Sequence, residues 1–227
     1  MALILSIETA TNICSVAIHN DGHPVGSQSL FKSQSHSGLL VPVIDNLVRH
    51  CGINLEDLNA VSVSEGPGSY TGLRIGVSTA KGLCDALDIP LISVNTLMAL
   101  ANGVSNMIPD KALLCPMLDA RRMEVYAMLC HKDLKVISEI APKIINEDSY
   151  REVLKENKIY FFGNGSAKCA TLINHKNAFF LESINNNAMF MGDLAYSKFL
   201  NNDFEDLAYF EPFYLKEFRT TKPKSKE

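Results

Sequence analysis

The sequence predicts an α/β protein of two lobes, and three observations carry that prediction. A chain of 227 residues, 47% of them hydrophobic, is long enough for two core-forming units of about 100 residues each. Apolar runs of strand and helix period follow one another as strand, strand, strand, helix, strand, helix over the first hundred residues, and the theme restarts beyond residue 110. Between the halves, from Asn102 to Asp110, Gly103, Asn106 and Pro109 break every period. The expected lobes are therefore residues 1–106 and 107–227.

Leu3 to Ile7 and Cys14 to His19 read as strands joined through Glu8-Thr9-Ala10-Thr11-Asn12, with Val25 to Leu30 a third after the turn Asn20-Asp21-Gly22. From Ser37 to Cys51, Leu40, Val43, Ile44, Leu47, Val48 and Cys51 keep helical spacing, with Ser35 or Ser37 as cap and Gly52 as stop. Pro42 comes early in this helix, where a bend is expected. Ala60 to Val63 and Leu91 to Val94 are strands on either side of a long helix, and a short helix from Thr96 to Ala101 closes the half. In the second half, Ala112 to Leu118, Glu124 to Cys130 and Leu134 to Ile140 read as strands, the last beyond the turn His131-Lys132-Asp133. A helix from Asp148 to Lys155, a strand from Ile159 to Phe162, the turn Gly163-Asn164-Gly165-Ser166 and a helix from Ala188 to Leu200 follow, while Thr171 to Asn187 takes no assignment. Acids stand at corresponding strand ends, Glu8 in the first half and Asp119 in the second. The succession resembles the duplicated β-β-β-α-β-α plan of actin-like and sugar-kinase-like ATPases.

The most constrained stretch runs from Val61 through Gly66-Pro67-Gly68-Ser69-Tyr70-Thr71-Gly72 into the long helix. Gly66 and Gly68 permit a sharp turn, and Ser69 and Thr71 are placed to cap the first N–H groups of the helix. Its spacing fits neither common phosphate loop. Gly72 is followed by Leu73 and Arg74 where a Walker A loop needs Lys and Ser or Thr, and the three glycines are one residue too widely spaced for G-x-G-x-x-G. Along the helix, Arg74, Ser78, Lys81 and Asp85 form one narrow polar stripe. Leu73, Val77, Ala80, Cys84 and Leu87 make one apolar face for a sheet, and Gly72, Ile75, Gly76, Thr79, Leu83 and Ala86 make a flatter one. That second face needs a neighbouring helix of the same chain or a partner protein.

In the ATPase plan, acids at the positions of Glu8 and Asp119 hold a metal-bound water beside nucleotide phosphates. Here Thr9-Ala10-Thr11 and Ala120-Arg121-Arg122 follow the acids instead of glycine, which hinders backbone approach to phosphate. Gly163 and Gly165 read equally as an adenosine-side loop or as a plain turn. His19 and His23 spell H-x-x-x-H by letters but straddle a hairpin turn with its own Asp-Gly signal, so no metal is expected there. Ser69 and Ser166 lack the G-x-S-x-G elbow of a serine hydrolase.

Composition excludes other classes. The net charge of -4 with 20% charged residues gives no global field for nucleic acid or anionic membrane, no apolar run approaches bilayer length, and the N-terminus reads as a strand. Six scattered cysteines without a C-x-x-C pair fit reduced thiols and a cytoplasmic location. Lys216, Arg219, Lys222, Lys224 and Lys226 make the last dozen residues basic, either a solvated tail or a tRNA contact.

Together, Ile7-Glu8-Thr9-Ala10, His36-Ser37 before Leu39-Leu40-Val41-Pro42, Gly66-Pro67-Gly68-Ser69-Tyr70-Thr71-Gly72-Leu73-Arg74-Ile75-Gly76, Ala80-Lys81-Gly82-Leu83 and Leu118-Asp119-Ala120-Arg121-Arg122-Met123-Glu124-Val125-Tyr126 resemble the TsaB (YeaZ) family. Gly163-Asn164-Gly165 and Pro212 to Lys216 extend the resemblance weakly to the end. It implies an actin-like, ribonuclease H-like two-lobed α/β fold with mixed five-stranded sheets. It also implies a non-catalytic part in making the threonylcarbamoyl modification of the tRNA adenosine next to the anticodon. In that system the relative TsaD performs the transfer, the ATPase TsaE joins, and tRNA is met through the complex. TsaD-like chains carry H-x-x-x-H after the equivalent of Ser93-Val94-Asn95; here the two positions are Thr96 and Leu100, so no catalytic residue and no metal are expected. The same substitutions tell against a glycoprotease-like peptidase. The rival reading is a free-standing ATPase or sugar kinase using Glu8 and Asp119. No tightly bound cofactor is implied, with ATP or ADP allowed at the partner interface. Partner contact in the family uses two helices of the first lobe, against TsaD or a second copy of the chain. By position, this points to Leu40, Ile44, Leu47 and Val48 with Ile75, Gly76, Thr79 and Leu83, while Glu8, Asp119, Gly163 and Gly165 would mark a vestigial nucleotide site.

Overall fold

A computed structural model of the chain describes residues 1–31 and 36–216. The expected cap Ser35 and the basic residues Arg219, Lys222, Lys224 and Lys226 lie outside the described residues. The first lobe comprises β1 (Leu3–Glu8), β2 (Cys14–Asn20), β3 (His23–Leu30), α1 (His36–His50), β4 (Ala60–Gly66), α2 (Tyr70–Leu87), β5 (Leu91–Asn95) and α3 (Thr96–Ser105). The second lobe follows with β6 (Leu113–Asp119), β7 (Glu124–Cys130), β8 (Val136–Ile144), α4 (Arg151–Glu156), β9 (Ile159–Phe162) and β10 (Ala178–Phe180), and the last helix is α5 (Gly192–Leu200).

The two sheets repeat one topology. The first has the order β3-β2-β1-β4-β5 and the second, read from its far edge, β8-β7-β6-β9-β10. In each, the first three strands form an antiparallel meander and the last two join in parallel on the other side of the first strand. The duplication expected from the order of elements is thus present in the pairing. Three local expectations shift. The eighth strand begins at Val136 because Leu134 takes φ +66° and closes the preceding turn onto His131, and it then runs on to Ile144. Tyr150 at φ +64° delays α4 to Arg151. The unassigned stretch holds β10, three residues parallel to β9.

The cores explain why the periods looked as they did. One face of the first sheet, with Leu5, Ile7, Val16, Ile18, Val61 and Val63, packs against α1 and α2. The opposite face, with Ile4, Ala17, Ile92 and Val94, meets Ala99 of α3 together with Ala188, Met191 and Ala195. Leu97, Leu100, Ala101 and Val104 turn the other way, onto Leu114, Leu118, Met128 and Phe162 of the second sheet. Helix α3 is therefore buried between the two sheets. The chain after Asn187 then returns to the first lobe: Glu205 bridges to Leu91, and Leu207 and Phe210 pack on the core beneath α1 and α2. A division after residue 106 separates the sheets but not the packing, since Ala188, Met191 and Ala195 lie against the first sheet.

Candidate functional site

Three of the sequence motifs meet at the junction of β4 and α2. The turn after β1 carries Thr9, whose Oγ1 donates to Gly72 O at 2.8 Å, and Ala10, whose carbonyl accepts from Ser69 N at 2.6 Å. His36 Nε2–H donates to Thr11 O at 2.8 Å. Ser69 caps α2, its Oγ accepting from Gly72 N. A side chain at position 72 would collide with the Thr9 carbonyl, a backbone atom that cannot step aside, so glycine is required by close approach. The junction is a clasp closed on the first lobe's own turn. Gly76 also belongs to it, because a Cβ there would meet Thr9 Oγ1. Its assignment to a partner interface is corrected accordingly.

The two acids are held in different ways. Glu8 is fully buried; Oε1 accepts from Ala10 N at 2.6 Å and from Ser64 Oγ at 3.2 Å. Burial pushes its carboxyl up to about 7, against the smaller opposing pull of Ala10 N–H, Ser64 and the nearby Asn186 amide. Glu8 Oε2 and both amide atoms of Asn186 are buried without a hydrogen bond of normal geometry. Asp119 is exposed at the end of β6. Its Oδ1 accepts from Lys168 Nζ at 2.5 Å and from Arg121 N at 2.8 Å. Burial pushes the Asp119 carboxyl up, but Lys168 and the Arg121 N–H outweigh it and hold the group below its ordinary value. The same Lys168 ammonium donates to the carbonyls of Arg122 and Glu124 at 2.7 Å each. A three-oxygen cradle of the kind that could take a cation is thus filled by the chain's own lysine.

Gly163 and Gly165 come together with Asp119. Gly165 N donates to Met117 O, Asn164 Oδ1 accepts from Asp119 N at 2.9 Å, and Gly163 stands at φ +96° against the Met117 carbonyl. Glu8 is not part of this group; it sits at the end of the first sheet's central strand, hydrogen-bonded to Ala10 N and Ser64 Oγ. His19 and His23 do not converge either. His19 is buried against Ser6 and the Met189 carbonyl, with its pKa lowered chiefly by that burial, whereas His23 is exposed.

The helices show which apolar face is left uncovered among the described residues. On α1, Leu40, Ile44, Leu47 and Val48 are at most 5% exposed and form part of the core, so their assignment as contact residues is corrected: their periodicity records the sheet beneath them. The outward side of α1 is Val41, Pro42, Asp45 and Arg49. On α2, Leu73, Val77, Ala80 and Cys84 face inward, and Arg74, Ser78 and Lys81 face the returning C-terminal chain. Gly82 and Ala86 are exposed, with Ile75, Thr79 and Leu83 half-buried beside them.

Sequence reasoning missed what lies on the polar stripe of α2. Residues 205–216 cross it as a strap. Phe213 N donates to Glu65 O at 2.7 Å, Arg74 stacks over the Tyr70 ring and donates to Tyr214 OH at 3.3 Å, and Lys81 Nζ donates to Ala208 O. The strap reaches the second lobe, where Lys216 pairs with Glu124. The only local signal was the stripe itself, four polar residues on an otherwise apolar helix. Lys168 and Asn186 carried no signal at all.

The family model described as tRNA N6-adenosine threonylcarbamoyltransferase (TsaD) matches residues 30–224. The Bacillus subtilis tRNA threonylcarbamoyladenosine biosynthesis protein TsaB is 31% identical over 72% of this chain and 72% of its own length. The Escherichia coli protein of the same name is 39% identical over 54% of this chain, and the match spans about half, 52%, of that relative. Among solved structures, a Pseudomonas aeruginosa protein described as similar to peptidase YEAZ superposes with TM-score 0.84 at 23% identity, covering 95% of this chain and all of the other. The activator of 2-hydroxyisocaproyl-CoA dehydratase from Clostridium difficile, solved with bound ADPNP, superposes with TM-score 0.52 at 11% identity, a likeness of fold alone, over 90% of this chain and 98% of that one. The two-lobed fold is thus the actin-like one, and the chain belongs to the TsaB family.

Proposed function

We propose that this chain is a non-catalytic partner and activator of a TsaD-type transferase in threonylcarbamoylation of the tRNA adenosine next to the anticodon. It acts by helix-to-helix contact in a heterodimer. The observation that carries this reading is the outward side of α2, an eighteen-residue helix that carries exposed Gly82 and Ala86 with half-buried Ile75, Thr79 and Leu83 beside them. Small residues on a helix surface let another helix approach closely, and the outward side of α1 carries an exposed apolar residue of its own, Val41, 59% exposed.

The state of the acids supports the non-catalytic part of the reading. Glu8 is sealed from solvent, and Asp119 is neutralised by Lys168. Thr96 and Leu100 are both fully buried, and Thr96 Oγ1 accepts from Gly66 N at 3.1 Å, so these positions serve packing. Under this reading a TsaE-type ATPase joins the pair, tRNA is met through the complex, any ATP or ADP lodges at the partner interface, and the chain works in the cytoplasm. Alone it pairs with a second copy through the same face.

Reconstitution tests the proposal. The transferase, tRNA and the threonylcarbamoyl donor are assayed with and without this chain. Product formation should rise when the chain is added, while the chain alone neither makes product nor hydrolyses ATP. Product formation indifferent to the chain would overturn the activator role. ATP turnover by the chain alone that Asp119→Ala abolishes would replace it with the ATPase reading.

A further inference from the structure

We propose that the tip of the hairpin between β6 and β7 is a phosphate contact for RNA, made by Arg121 and Arg122; the choice of tRNA as the polyanion rests on the function proposed above. The argument begins with the backbone. Arg121 and Arg122 stand at φ +69° and +50°, two consecutive residues in the left-handed region, where glycine or asparagine is the ordinary occupant of a hairpin end. Two long cationic side chains occupy strained positions that smaller residues would relieve. Strain of this kind persists only when the surroundings fix it, and it gathers where a site needs a set geometry.

Here the surroundings do fix it. Lys168 Nζ holds the carbonyls of Arg122 and Glu124 at 2.7 Å each and Asp119 Oδ1 at 2.5 Å, while Asp119 Oδ1 also accepts from Arg121 N at 2.8 Å. The underside of the tip is thus tied down by one buried-side cation, and the guanidiniums are left on the outside. Both arginines are exposed, and among the described residues neither side chain has an ion pair or hydrogen bond. The local balance is positive because Asp119 is matched by Lys168 and Glu124 by Lys216, so the two arginines are in excess on a chain of net charge -4. Paired guanidiniums on a rigid tip suit phosphate oxygens, which they bind in forked geometry with little ordering left to do on contact.

Binding of the full-length chain to transcribed tRNA, followed by fluorescence anisotropy over a range of KCl concentrations, tests the proposal, with the chain alone and with its transferase partner. The variant carrying Arg121→Gly and Arg122→Gly should bind about tenfold more weakly, with a slope of log affinity against log salt shallower by about 1.5. Because glycine adopts φ above zero without strain, the same variant should melt no lower than the native chain and should still co-purify with the partner. Lys168→Met keeps both arginines but unties the tip, and should give a smaller loss of affinity. Unchanged affinity and salt slope in the glycine variant would overturn the proposal, as would absence of tRNA binding in every form. Competition by poly-glutamate equal to that by RNA, or a lowered melting temperature of the glycine variant, would overturn it as well. Failure of the native chain to bind the transferase would count against the proposed function, and the measurements on the chain alone would still decide this one.

Discussion

Glu8 and Asp119 occupy corresponding ends of β1 and β6, and their surroundings drive their protonation in opposite directions. Glu8, with a folded value of about 7 against an ordinary 4.5, is favoured by folding in its protonated form. The associated stabilisation is complete below about pH 4.5 and is lost as the pH rises through 7. Glu8→Gln keeps the acceptor for Ala10 N and Ser64 Oγ and removes the titration. Urea denaturation of both proteins between pH 4 and 8 should therefore show the native chain losing stability relative to the variant as pH rises, by about 3 kcal/mol across the range. A constant difference between the two would mean that Glu8 does not titrate in this window. Asp119 was readable from sequence as an acid at a strand end. Its neutralisation was not, because Lys168 lies 49 residues away and reaches it only through the packing of the Gly163–Gly165 turn on β6.

At the scale of elements, α2 has four jobs around its circumference: the sheet, α1, the strap and the open side. Its periodicity revealed the inward face correctly and separated the polar stripe from the rest. It could not say which apolar residues of the flatter face were already covered. Gly72 and Gly76 announced close approach, but the approaching group is the turn at Thr9, some 60 residues earlier, and not a second helix. Gly72→Ala should cost about 2–3 kcal/mol in equilibrium unfolding, since the Thr9 carbonyl must move to admit a methyl group. An unchanged midpoint would mean that the clasp is loose. For α1, the strong apolar rhythm of Leu40, Ile44, Leu47 and Val48 belongs to the core, as is usual for a helix covering a sheet. Strand β10 escaped the sequence because Ala178-Phe179-Phe180 is too short to show a period among the polar residues around it.

For the whole molecule, the order of strands and helices was enough to anticipate two sheets of one topology, whereas the way the lobes are joined was not. Helix α3 faces both sheets, and the chain from Ala188 to Lys216 returns to the first lobe and then reaches the second at Glu124. The contacts of the returning chain with the first lobe link residues more than 100 positions apart and leave little trace in local pattern. Phe210, half-buried on the first lobe's core, reports on the strap; Phe210→Ala should lower stability by about 2 kcal/mol, with a lowered thermal midpoint as the readout, and no shift would leave the strap without a packing role. The central claim is that the open side of α2 receives a partner helix, and Gly82 lies at its middle. A Cβ at position 82 meets nothing within 4 Å, and replacing a helical glycine gains up to about 1 kcal/mol of helix propensity, so Gly82→Leu should fold at least as well as the native chain. Co-purification of that variant with the TsaD-type transferase is the direct measurement. The account predicts a folded monomer that no longer forms the complex, and a variant that binds the transferase as tightly as the native chain would contradict it.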